Sequence, residues 1–155
     1  GVVAMAWFGI HAPRATPQAI VARLHAEAVK TLQDPVVRQR FETEGADDCC
    51  RSFRAKKLVK LTSVNTIADG MRTLSVGALN LEIILRSVDD VIAVKDEDIL
   101  PMMRFFAERM KIVVEPTGAV APAAVMKKSI GAAGKRVCAI ISGGNVDPQL
   151  LKEIL

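Results

Sequence analysis

The sequence predicts an α/β fold, a small open sheet of a few strands with flanking helices. Three observations predict it. The short β-branched runs at 91–94 and 137–141 are too brief for helices and rich in strand formers. Between such runs, apolar residues recur at three- and four-residue steps, the period of a helix with one buried face. Finally, the second run ends in Ser142, Gly143, Gly144 and Asn145 before a helix start at Asp147 and Pro148. Strand, glycine turn, helix is the layout in which open α/β sheets hold ligands. A plain strand-to-helix turn is the alternative.

Taken in order, the apolar run 2–10 has β character and is closed by Ala12 and Pro13, which predicts a strand. Thr16 and Pro17 then start a helix whose apolar face is Val21, Leu24, Ala28 and Leu32, with Arg23, Glu27 and Lys30 opposite. Asp34 and Pro35 repeat the cap-and-proline device, predicting a helical turn to about Arg40. A glycine-loosened turn follows, then a helix to about Lys57. Loops lead to a helix near 78–86, which Asp89 and Asp90 end, and to a strand at 91–94. Asp96 caps a helix to about Lys111, with Glu97 and Asp98 in its acidic first turn. Its stripe is Ile99, Met103, Phe106 and Met110, and Pro101 should bend it. A further helix over 118–128 contains Pro122, and the strand at 137–141 is expected to be buried before the closing helix, 148–155.

A chain of 155 residues with 50% hydrophobic content can bury one core, so a single folded unit is expected. Apolar runs fall short of the roughly 20 residues that a membrane helix needs, and the opening run lacks a basic leader, so no membrane or export is expected. Three cysteines, two adjacent at Cys49 and Cys50, match neither a zinc spacing nor a disulfide framework, which suits a reducing, cytoplasmic setting. The net charge of +4 is carried by scattered pairs, and aromatics are 4%, so no nucleic-acid surface is expected. The stretch 131–136 lacks the first glycine and the hydroxyl residue of a nucleotide phosphate loop.

One cluster can carry chemistry by itself. Glu42 and Asp48 flank the carbonyl of Ala46 in a turn, and converging oxygens suit a hard cation such as magnesium or calcium, with water completing the shell. The competing reading is that Asp47 or Asp48 caps the next helix while Glu42 is solvated.

Two resemblances extend these readings. Trp7, Phe8 and Gly9, then Ala12, Pro13, Thr16, Pro17, Leu24, Asp34, Pro35, Val37 and Arg38, resemble the C-terminal part of solute-binding proteins of tripartite tricarboxylate transporters over about residues 1–40. From about 41 to 150, FETEGADDCCRSF, NTIADGMRTLSVG, LRSVDDVIAV, FFAERMKIVVEPTGAV and GKRVCAIISGGNVD follow in order. Together they resemble the C-terminal part of serine/threonine dehydratases and serine racemases, pyridoxal phosphate enzymes of the second fold type. The resemblance implies an incomplete piece of that domain: 1–40 as a transporter-like segment and 41–155 as a dehydratase-like one. It implies a divalent cation at Glu42, Ala46 and Asp48, and a cofactor wall at Ser142, Gly143, Gly144 and Asn145, with Ser142 meeting the pyridine nitrogen. Glu115 gains a place near the cofactor ring by the same resemblance.

The lysine that holds the cofactor, and the glycines that hold its phosphate, precede the resembling stretch. The expectation is therefore a truncated or chimeric lyase relative without independent catalysis. Its alternatives are a cation- or ring-binding module, or a structural protein. Exposed strand edges and apolar helix faces predict a homo-oligomer, most simply a dimer.

Overall fold

A computed structural model describes residues 16–32, 39–127, 133–134 and 136–155. The expected strand at 2–10 and the turn opened by Asp34 and Pro35 lie outside these residues, apart from its end at Gln39 and Arg40. The elements are α1 (Gln18–Leu32), β1 (Gln39–Thr43), α2 (Asp48–Ala55), α3 (Ala78–Ser87), β2 (Asp90–Val94), α4 (Asp96–Phe105), α5 (Pro116–Met126) and α6 (Pro148–Ile154). A 3₁₀ turn covers Asp69–Met71 and a π-helical turn covers Phe106–Met110.

The sheet among the described residues is two-stranded and parallel, with Phe41 opposite Ile92 and Thr43 opposite Val94. Parallel strands need a long crossover, and α2, the 56–77 segment and α3 supply it. β1 is a finding that the sequence reading missed. Gln39, Arg40 and Glu42 gave its residues a polar look, and the expected helical turn ran through Gln39 and Arg40 into what is strand.

Two apolar clusters flank the sheet. Val94, Ile99, Met103, Phe106, Val120 and Ala124 belong to one, built by α4, α5 and α6. Cys49, Phe53, Ile84 and Val91 form the other, between α2, α3 and β2. Fully burying an aliphatic side chain contributes about 1.5–3 kcal/mol, so these contacts are the main stabilising ones. By contrast, none of the described side chains of α1 joins either cluster, and its Ile20 and Leu24 are half exposed. The apolar face expected of it around Val21 and Leu24 thus has no covering core among the described residues.

Three further expectations change. The helix from Asp96 continues past Phe105 as the π turn to Met110, close to the expected end, but that turn widens the repeat beyond 3.6 residues per turn and carries Met110 out of the stripe to 50% exposure. Asp90 opens β2 instead of ending α3, and its carboxylate pairs with Arg54 at 2.6 Å.

The third change concerns residues 137–141. They form no strand, and Ile140 is 69% exposed. Exposure still alternates along 136–140, the period of a strand, but no strand lies beside the run among the described residues, so its backbone makes no ladder. The closing helix matches expectation: Asp147 Oδ1 accepts from the Gln149 N–H at 2.7 Å and Pro148 occupies the first turn.

Candidate functional site

Two places gather the residues singled out by sequence. The first is the corner where β1 ends and α2 begins. Thr43 and Ala46 close a tight turn, the Ala46 N–H donating to the Thr43 carbonyl at 3.0 Å. Gly45 is required there, since a Cβ on it would collide with the Asn65 carbonyl. This turn brings Glu42, Ala46 and Asp48 together, and all three are buried, at 5%, 1% and 1% exposure.

The electrostatics of the corner follow from that burial. Glu42 Oε2 accepts from the Cys50 N–H at 2.9 Å, and Arg40 Nε stands 3.7 Å from Oε1. Burial pushes the Glu42 carboxyl above its ordinary range, the Cys50 amide pulls it back, and the neighbouring Asp48 charge raises it again. Asp48 is likewise raised by burial and partly restored by the Thr73 hydroxyl. Asp47, the competing cap, has no capping bond and pairs instead with Arg51 at 2.9 Å. Two buried carboxylates that repel one another, beside a carbonyl, are a donor set that suits a hard cation. Among the described residues no group of three His, Cys, Asp or Glu side chains assembles, so two carboxylates and the Ala46 carbonyl are what this chain can offer.

The second place is the glycine turn. Gly143 has φ +69°, a left-handed conformation, and a Cβ there would collide with the Glu115 carboxylate. Glu115 clamps the turn at both levels: its N–H donates to the Gly143 carbonyl at 3.2 Å, and its Oε2 accepts from the Asn145 N–H at 3.1 Å. Gly118, in the first turns of α5, abuts the Ser142 carbonyl so closely that any Cβ would collide. The turn is thereby fixed against the start of α5, with Ser142, Gly143, Gly144 and Asn145 all exposed. That exposure leaves Ser142 open to a ligand, and a hydroxyl is a donor of the kind that a heteroaromatic ring nitrogen can accept. Glu115 is committed to bracing the turn.

Sequence reasoning missed the surroundings of both places. Thr73 Oγ1 approaches Asp48 across a separation of 25 residues, which no local pattern signals. A cavity of about 270 Å³ lies between the 3₁₀ turn and α6, lined by Ile67, Asp69, Arg72, Pro116, Asn145 and Leu150 among others. Arg72 is held there by donating from Nε to the Thr66 carbonyl at 2.9 Å. Thr66 in turn bonds Asp96 at 2.7 Å, which ties this loop to the start of α4.

Known proteins are similar to this chain. The family model described as pyridoxal-phosphate dependent enzyme matches residues 17–143, so the match starts ahead of the boundary near 41 and takes in α1. The L-threo-3-hydroxyaspartate ammonia-lyase of Saccharomyces cerevisiae is 42% identical over 106 residues, 68% of this chain and 32% of that protein. The serine racemase of Schizosaccharomyces pombe is 43% identical over 106 residues, covering 68% and 33%. Maize serine racemase superposes with a TM-score of 0.67 at 39% identity, over 74% of this chain and 36% of that one. The chain spans about a third of the length of these relatives. Over that span, the chain belongs to the pyridoxal-phosphate dependent enzyme family.

Proposed function

We propose that this chain is a truncated or chimeric relative of serine/threonine dehydratases and serine racemases that binds ligand without catalysing by itself. The observation that carries the reading is the glycine turn, clamped by Glu115 with Ser142 exposed at its edge. In this reading the Ser142 hydroxyl meets the pyridine nitrogen, and Gly143, Gly144 and Asn145 form the wall beside the ring. Pyridoxal phosphate, when bound, supplies an electron sink for a carbanion at the substrate α-carbon. A neutral hydroxyl there would donate to the ring nitrogen and leave it unprotonated, and the Glu115 brace fixes the backbone at Gly143 and Asn145 beside it. Glu42, Asp48 and the Ala46 carbonyl hold magnesium or calcium at a distance in sequence from the ring wall.

The resemblance implies phosphate-holding glycines shortly before the position of Glu42, and residues 17–41 contain no glycine, which is why independent catalysis is left out of the reading. A fused origin for the opening residues belongs to the same proposal. Because the family match starts at residue 17, we place the junction ahead of it. Free Cys49, Cys50 and Cys138 suit a reducing, cytoplasmic setting.

The test is a titration with a pyridoxal phosphate analogue that lacks the aldehyde, so that surface lysines cannot react. Reversible binding that weakens about tenfold in Ser142→Ala is expected, in line with loss of one hydrogen bond to a polar partner. Equal binding by the variant would remove the ring-wall assignment.

A further inference from the structure

We propose that Thr73 is a positioning residue for the cation corner, holding the Asp48 carboxylate in the orientation that lets it share an ion with Glu42. The inference rests on the cation reading above and adds a residue to it. Asp48 is 1% exposed, yet its carboxylate has a hydroxyl in front of it: Thr73 Oγ1 lies 3.3 Å from Oδ1 and 3.5 Å from Oδ2. A hydroxyl carries one proton, so it is shared between the two oxygens. Both distances exceed the roughly 2.7 Å of an ordinary hydroxyl–carboxylate bond.

That geometry orients the carboxylate without saturating it. A carboxylate has about four acceptor positions, and the shared, long Thr73 bond does not by itself fill them. Glu42 is held by its neighbours too: its Oε2 accepts from the Cys50 N–H at 2.9 Å, and Arg40 Nε pairs with Oε1 at 3.7 Å. Backbone amides add to both acids, those of Asp48 and Val76 at Asp48 and that of Cys49 at Glu42, so Thr73 is, among the described residues, the one side-chain hydroxyl that orients Asp48.

The backbone around Thr73 is also fixed. Its N–H donates to the Met71 carbonyl at 2.7 Å, and the next residue, Leu74, accepts from the Leu61 N–H at 2.8 Å. Arg72 on the other side is tied to Thr66. The corner turn itself is joined to the same loop by the Asn65 N–H on the Gly45 carbonyl at 2.9 Å. The 65–74 segment is therefore bonded to the corner at both of its ends, and Thr73 supplies the side chain that reaches the acid.

The experiment measures magnesium and calcium binding by calorimetry and by melting shift in the full chain, in Thr73→Val, Thr73→Ser, Thr73→Ala and Asp48→Asn. Groups that orient a metal ligand are worth 10–100-fold in affinity, so Thr73→Val should weaken binding about tenfold. Thr73→Ser, which keeps the hydroxyl, should bind within about twofold of the parent. A purely structural threonine would lower the melting temperature of Val and Ser variants without separating their ion affinities, and that result overturns the proposal. Should Thr73→Val fail to fold, Thr73→Ala against Thr73→Ser makes the same comparison. If the parent binds while Asp48→Asn does not, and Thr73→Val matches the parent, the Thr73 role falls and the corner stands. If the parent binds neither ion, the cation reading falls and takes Thr73 with it.

Discussion

Glu115 Oε2 accepts from the Asn145 N–H at 3.1 Å, joining the start of α5 to a glycine turn 30 residues further along the chain. This bond, with the Glu115 N–H on the Gly143 carbonyl, makes the turn a fixed surface although all four of its residues are exposed. Removing the carboxylate in Glu115→Ala frees the Asn145 amide and should cost about 1–3 kcal/mol, read by urea unfolding. Gly143→Ala should cost at least as much, because it adds a Cβ into the carboxylate and a left-handed penalty of roughly 1–2 kcal/mol. Unchanged unfolding midpoints in both variants would show that the turn is not held in this way.

The pH dependence of stability follows from Glu42 and Asp48. Both acids are raised above their ordinary values of 4.5 and 3.8, chiefly by burial. Between those values and the raised ones the folded chain binds more protons than the unfolded chain, so stability falls as pH rises through that window. In metal-free buffer the protein should melt higher just below the window than above it. Glu42→Gln should flatten this slope, and a slope of opposite sign would contradict the burial of the pair as uncompensated acids.

Thr43 Oγ1 is buried with no hydrogen-bond partner among the described residues. An unpaired hydroxyl costs about 1–3 kcal/mol, so Thr43→Val, which keeps the shape, should raise stability by about 1 kcal/mol. A loss of stability in that variant would place a polar partner beside the hydroxyl.

Cys49 is fully buried, and burial, reinforced by the Glu42 charge, pushes its thiol up to about 11. At pH 8 it should resist alkylation in the native protein, while the exposed Cys138 reacts. Peptide mapping after brief iodoacetamide treatment distinguishes them, and rapid labelling of Cys49 would contradict the packing of α2 on β2.

How much was legible in sequence depended on whether a feature was local. The Asp147–Pro148 start of α6, the β2 run and the Ile99–Met103–Phe106 stripe rest on neighbours in the chain, and they formed as the pattern predicts. β1 was missed because its polar residues look like a turn, and its strand character comes from pairing with β2. The run at 137–141 failed in the opposite direction: its residues favour a strand, but a strand needs a partner, and none is placed beside it among the described residues. At the site, spacing alone put Glu42, Ala46 and Asp48 in one turn, whereas Thr73 and Arg72 arrive from the loop beyond α2, and only the folded chain brings them in.

Ile112, Val113, Ile140 and Ile141 are 39–69% exposed, on the two extended segments that meet at Glu115 and Gly143. Exposed apolar surface of this kind favours association, and a homodimer is the simplest outcome. Light scattering after size exclusion should show it, and a monomer persisting at high concentration would contradict it.

Whether the chain binds without catalysing is tested most directly by mixing it with pyridoxal phosphate, magnesium and L-serine and following pyruvate. No pyruvate above the rate of pyridoxal phosphate with magnesium alone is expected. Sustained, protein-dependent pyruvate formation, with the cofactor attached at a single lysine, would contradict the proposed loss of catalysis and make this chain an enzyme in its own right.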